Sequence, residues 1–194
     1  MPLLQLHISI NHIRPEIWRR IIVYDKTTLY QLHHILQIVF GWQNYHLYYF
    51  KFSNLDFGDQ RLWENENSSM LDVRDWPAGK LLKEEGERLY YEYDIGDSWG
   101  HTVILEKIIL LSPDSTSPIP ICTGGARNAP PEDVGSIPGY QQLLQALKKP
   151  RSQEFREYKE WLGKVYDTEE CDIIRINEGL LNLSEYIRKY ETGL

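Results

Sequence analysis

Two short acidic segments carry most of the side chains in this chain that are suited to chemistry. The first is YEYDIGDSWGH, residues 91–101, in which Asp94, Asp97 and His101 lie on or beside a tight bend. Trp99 is expected to project from the tip of that bend. Two carboxylates and an imidazole converging there would suit a divalent cation, with Mn, Mg and Zn the candidates. The competing reading is local: Asp before Gly or Ser commonly satisfies its own backbone in a turn. The second segment is PPEDVG, where Pro130 and Pro131 stiffen the backbone and present Glu132 and Asp133 side by side. Adjacent carboxylates can split their pKa values for acid/base work or neutralise a cation. They can equally complement the dipole of a helix starting just downstream. If the segments meet, Asp94, Asp97, His101, Glu132 and Asp133 form one candidate metal set.

Other candidates are weaker. His33 lies near an apolar helical stripe and His46 opens the next segment, so a contact between them is possible, although a histidine at a core edge is more often hydrogen-bonded than ligating. Gln37 and Trp42 read as packing at the helix end. Arg14, Arg19 and Arg20 form a local basic cluster that would be the nucleic-acid contact if there is one. Against it stands the whole chain, with 21 Lys plus Arg to 28 Asp plus Glu and a net charge of −7, a field that repels phosphate backbones. No P-loop, GxGxxG, GxSxG, HExxH or CxxC pattern is present. CTGGAR reads as a turn sooner than an anion nest. Cys122 and Cys171 are far apart in the chain, which fits reduced thiols in a cytoplasmic protein. The N-terminus reads as a strand and not as a signal peptide, and no apolar run is long enough for a membrane span.

The elements that must position these residues follow from periodicity. Leu4, Leu6, Ile8 and Ile10 alternate with polar residues as a half-buried strand does, and Glu16–Val23 should return as its hairpin partner. Thr27 or Thr28 can cap a helix carrying Leu29, Leu32, Leu36, Val39 and Phe40, which Gly41 ends. Tyr45–Phe52 reads as a third strand. This ββαβ order is compatible with a β-grasp-like core. Residues 53–80 read as a long irregular connection, with a short helix over Ala78–Glu85. Leu89–Ile95 and His101–Leu111 form a hairpin around GDSWG. No helix or strand is expected in the turn-rich Ser112–Pro120 or in ICTGGARNAPPEDVGSIPG. Helices are expected over Tyr140–Lys148, Ser152–Gly163 and roughly Ile173–Tyr190, the last interrupted at Gly179. The class is α+β, an antiparallel or mixed sheet followed by C-terminal helices. At 194 residues one core suffices, so a single domain is expected over 1–194, the sheet-forming part over about 1–111 and the loop and helices over 112–194.

Several of these segments together resemble one family, the plasmid pRiA4b ORF-3-like proteins: IRPEIWRRIIV, LHHILQIVFGWQNYHLYYF, LYYEYDIGDSWGHTVILE, and APPEDVG followed by GYQQLL. The resemblance implies an α+β fold and an association with plasmids and insertion elements. Its motif positions include His33, Trp42, His46, Tyr93, Asp94, Asp97, Trp99, His101, Glu132 and Asp133. Relatives often carry cysteines where this chain has Ala129 and Val134, which argues against a thiolate zinc site here. In the absence of a complete catalytic motif, the leading expectation is a non-catalytic module binding a protein or peptide partner through Trp99, Tyr93, Asp97 and the PPEDVG loop. A metal-dependent hydrolase or nuclease is the alternative, and nucleic-acid binding through the arginines the third.

Overall fold

The structure, a computed structural model, describes residues 2–63, 69–110 and 118–193. Strand β1 (Pro2–Ile10) buries Leu4, Leu6, Ile8 and Ile10 on one face, as their alternation predicts, and pairs antiparallel with β2 (Trp18–Tyr24). Helix α1 (Leu29–Phe40) opens with a capping box: the Thr28 hydroxyl accepts from Gln31 N, and the Gln31 side chain accepts from Thr28 N. Gly41, at φ 75°, ends it in the left-handed conformation that glycine adopts without steric cost.

Beyond α1 come β3 (Tyr48–Phe52), β4 (Leu55–Gly58), β5 (Leu71–Asp72) and the single turn α2 (Ala78–Leu81). The hairpin of β6 (Arg88–Tyr93) and β7 (Trp99–Leu110) follows, then β8 (Ile121–Ala126). The eight strands form one sheet in the order β5-β4-β3-β6-β7-β1-β2-β8, antiparallel except for β4 with β5. The β6–β7 hairpin thus lies between the N-terminal hairpin and β3. Helices α3 (Ser136–Leu147), α4 (Gln153–Leu162), α5 (Ile173–Leu181) and α6 (Leu183–Thr192) complete an α+β architecture.

Several expectations need correction. The connection over 53–80 is not structureless: LDFG forms β4, because Phe57 is buried and pairs with Phe50, a contact no local pattern announces. Residues 64–68 of that connection lie outside the described residues, as do 112–117 of the turn-rich Ser112–Pro120 and Leu111 at the end of the second hairpin strand. ICTGGA, expected to be irregular, is the edge strand β8. Its outer edge is covered by α5, where the Asn177 side chain exchanges two hydrogen bonds with Cys122 backbone in the manner of a neighbouring strand. Gly179 does not break the C-terminal helix. It lets α5 approach α1, since a Cβ there would meet Ile38 at 2.9 Å, and the break falls at Asn182. With the sheet on one side and α5 and α6 on the other, α1 is buried on nearly all its faces, including His33, His34 and Gln37.

Candidate functional site

The site is built at the end of the sheet where β3 begins and β6 ends. Asp94 follows β6 at φ 57°, which removes it from the strand alternation and turns its carboxylate toward the tip. There Oδ1 accepts from the backbone N of Gly96 and Asp97, at 3.0 and 3.2 Å, as an Asx-type turn requires. The turn reading of Asp94 therefore holds for one of its two oxygens. The other, Oδ2, lies 3.6 Å from His46 Nε2.

The PPEDVG loop reaches the same place, so the two acidic segments adjoin. Asp97 is the latch: its Oδ2 accepts from Gly135 N at 3.1 Å, and its backbone O accepts from the Ser136 hydroxyl at 2.7 Å. Glu132 repeats the pattern of Asp94. Its Oε1 accepts from Gln43 N (2.6 Å) and from the Tyr93 hydroxyl (2.9 Å), while Oε2 lies 3.8 Å from His46 Nε2. Asp133, at φ 55° and largely exposed, places Oδ1 3.0 Å from the same nitrogen. That short contact falls outside hydrogen-bond geometry, and Nε2 of His46 is buried without a hydrogen-bond partner. Three carboxylates thus surround one imidazole. The ligating atoms of His46, Asp94 and Asp133 all lie within 4.8 Å of one another. Five non-glycine residues with positive φ border this site, Asn44, Asp94, Ser98, Asp133 and Ser136, a concentration of strained backbone typical of functional loops.

His46 is positioned by the loop between α1 and β3, and that loop is pinned from inside the core. Asn44 N donates to Gln37 Oε1, and Gln37 Nε2 donates to the Tyr91 hydroxyl. Asn44 Oδ1 lies 2.7 Å from His33 Nε2, so His33 carries its proton there and its Nδ1 accepts from Tyr91. Tyr45 N donates to the Tyr93 hydroxyl, which in turn donates to Glu132. Burial, and then Glu132, hold the Tyr93 phenol well above its ordinary pKa, so it remains a donor. These contacts explain why a strand expected from Tyr45 begins only at Tyr48. The intervening Tyr45–Leu47 arm is committed to the site.

Two expected members of the site are elsewhere. His101 follows the parity of Trp99, Val103 and Leu105 and is fully buried against Phe40, Trp42 and Tyr91. Burial pulls its pKa down to about 3, and it is no ligand for the cluster. Trp99 does not project from the hairpin but packs inward, 1% exposed, near Trp42. Tyr93 is also buried, so neither ring offers an exposed binding wall. Ile95, two residues beyond Tyr93, is exposed at the tip. His46, not His101, supplies the imidazole, and it does not pair with His33, which stacks on Tyr48 instead. Trp42 does close the helix end as expected, its indole N–H donating to Pro130 O and tying the double proline to α1.

The arginines do not form a patch. Arg19 points inward and donates to the carbonyls of Val39, Trp18 and Ala126, while Arg20 points outward into a two-fold contact with Glu106. Only Arg14 of the three is exposed.

Comparison with known proteins places the chain. The sequence pattern of the plasmid pRiA4b ORF-3-like proteins matches residues 2–175. The chain belongs to that family. The pRiA4b ORF-3-like match spans every residue of the cluster and ends inside α5. The chain is 30% identical over 182 residues to the uncharacterized protein y4hQ of Sinorhizobium fredii, covering 93% of this chain and 91% of the relative. It is similar to a crystal structure of the protein of unknown function MM3350 from Methanosarcina mazei Go1, with a TM-score of 0.79 at 32% identity over 90% of this chain and 96% of that one. Among the described residues, no helix of this pRiA4b ORF-3-like protein is long and apolar enough to cross a membrane.

Proposed function

We propose that the protein binds a divalent cation through His46, Asp94, Glu132 and Asp133 and uses it as a Lewis acid in hydrolysis. One observation carries this reading. Asp94 and Glu132 each have one oxygen tied down by N–H or O–H donors and the other turned toward His46 Nε2. Hydrogen bonds that fix one oxygen and free its partner are what orient carboxylate ligands in metal sites. One imidazole with carboxylates suits Mn or Zn better than Mg, which takes oxygen alone by preference. Because Asp133 is exposed, one side of the cluster faces solvent and leaves room for water or a substrate oxygen. A cation there would lower the pKa of bound water toward neutrality and polarise the substrate.

Thermal melts with Mn, Zn and Mg test the binding step. A cation that binds only the folded state should add about 2.7 kcal/mol at a hundred times its Kd, and His46→Ala and Asp94→Asn should abolish the gain. The absence of any rise in the wild type with all three metals would sink the reading. Hydrolysis of bis(p-nitrophenyl) phosphate against p-nitrophenyl acetate by the loaded protein then separates phosphoryl from acyl chemistry.

A peptide-binding role has its own support at this site. Tyr45, Leu47 and Ile95 are exposed beside the carboxylates, and an apolar rim around negative charge suits a Lys- or Arg-bearing peptide. Binding of such a peptide in the presence of a chelator, lost in Tyr45→Ala, would favour that role over the hydrolytic one.

A further inference from the structure

Behind the double-proline loop, α1, α4 and α5 enclose a cleft of about 680 Å³, within the range of small-molecule sites. Its walls include Ile38, Phe40, Trp161, Leu162 and Ile176. Four carboxylates line it, and none of them forms an ion pair with Arg19 or Arg175. Glu132 and Asp133 are turned into the cluster with His46. Glu170 accepts from Asn128 and Lys164, and Asp172 caps α5 through Arg175 N.

The cations are not matched in the same way. Arg19, only 3% exposed, reaches the cleft with its guanidinium held by three backbone carbonyls, which leave Nη2 unengaged. No carboxylate among the described residues lies within salt-bridge distance of it, and Arg175, exposed at the cleft wall, has no ion pair among them either. The guanidinium faces carbonyl dipoles and, 5.3 Å away, the Phe40 ring, and without an anionic partner it keeps much of its cost of burial. Its pKa follows: burial lowers that of Arg19, whereas Arg20, Arg61, Arg74 and Arg188, each beside a carboxylate, end above the usual value. Glycine at 125 allows the crowding at this point, since a Cβ there would stand 2.8 Å from both Arg19 Cδ and Cys171 Sγ.

We infer that this cleft binds a small molecule carrying an oxyanion on an apolar or aromatic body, with Arg19 at its floor and Arg175 at its rim receiving the anion. Guanidinium groups match carboxylate and phosphate oxygens in a forked geometry, and the missing counter-charge of Arg19 is what the ligand supplies. The cleft shares its Glu132 and Asp133 wall with the proposed cation cluster, but the arginines that would receive the anion do not depend on a bound cation.

The test uses the full chain in excess chelator, so that a failure of the cation reading leaves it untouched. Phenyl phosphate, benzoate and neutral phenol are titrated while following tryptophan fluorescence, since Trp42 and Trp161 line the cleft, and the rate of Cys171 alkylation, resolved by peptide mass. One or both anions should saturate both signals and slow alkylation several-fold, with phenol inert. Saturation by phenyl phosphate alone assigns a phosphate head, and by benzoate alone a carboxylate. Arg175→Gln should weaken binding by roughly tenfold, as loss of a hydrogen bond to a charged group does, and Arg19→Lys more strongly. Because Arg19→Lys risks the fold, Arg175→Gln stands as the deciding variant. An equal response to phenol, no saturation by either anion, unchanged affinity in Arg175→Gln, or binding only when a divalent cation is added would each overturn the inference.

Discussion

Two groups of charged side chains sit at the same end of the sheet and balance their charge in opposite ways. Both belong to one edge, because Gly58 at the end of β4 pairs with Tyr49 near the start of β3. In the first group, Asp59 is fully buried and is answered by Arg74 at 2.7 Å and Arg61 at 3.3 Å. Arg74 also lies over the Tyr30 ring, and the Tyr30 hydroxyl donates to Glu191 of α6. Burial pushes the Asp59 carboxyl up, but the two arginines outweigh it and leave it below the ordinary carboxylate pKa. In the second group, Asp94, Glu132 and Asp133 face a single imidazole. The first group is complete within the chain and joins α1 to α6. The second has more carboxylates than its one imidazole can match, with one oxygen of Asp94 and one of Glu132 held in place by donors.

The largest expected effect tests the completeness of the first group. Asp59→Ala should destabilise the protein by up to about 3 kcal/mol in urea unfolding, because it removes the close partner of half-buried Arg74 and leaves that guanidinium's donors short of acceptors. A loss under 1 kcal/mol would mean that the network is solvated and that the contrast is false.

A pH series sharpens the comparison next. His34 is packed beside the first group, and burial followed by the Arg74 charge pulls its pKa down to about 4. The folded value lies below the unfolded one near 6.5, so the unfolded chain binds the extra proton. The resulting stability is complete above about pH 6.5 and is lost as pH falls toward 4, by about 2 kcal/mol between pH 7.5 and pH 5. His34→Gln should flatten that part of the profile, and an unchanged slope would move its source to other groups.

The smallest effect concerns the second group. In chelator at pH 8, Asp133→Asn should melt no lower than the wild type and gain less than about 1 kcal/mol, since it relieves repulsion among carboxylates at an exposed position. A clear fall in melting temperature would show that His46 and Asp133 form a self-sufficient ion pair.

The parts legible in the sequence were those with a local cause. The alternation of β1, the Thr28 cap and the Gly41 exit each depend on a few neighbouring residues. The acidic segments are legible as residue types, but their meeting in space is not. The burial of His101 is legible in its strand parity with Val103 and Leu105, a signal that competes with its closeness to Asp97 in the chain. His46 carried only a weak signal, its place between a helix and a strand full of tyrosines. The edge strand β8 carried almost none, because ICTGGA is stabilised by β2 and by Asn177, fifty-five residues away from Cys122.

The sequence by itself determined the strand and helix periods, the α+β class and the supply of carboxylates, because those depend on side-chain type and spacing along the chain. Only the tertiary structure decided which imidazole faces those carboxylates, which oxygens remain free, and which arginine is left without a counter-charge. Those outcomes turn on contacts between segments distant in sequence and on a handful of positive φ angles, neither of which a linear period records.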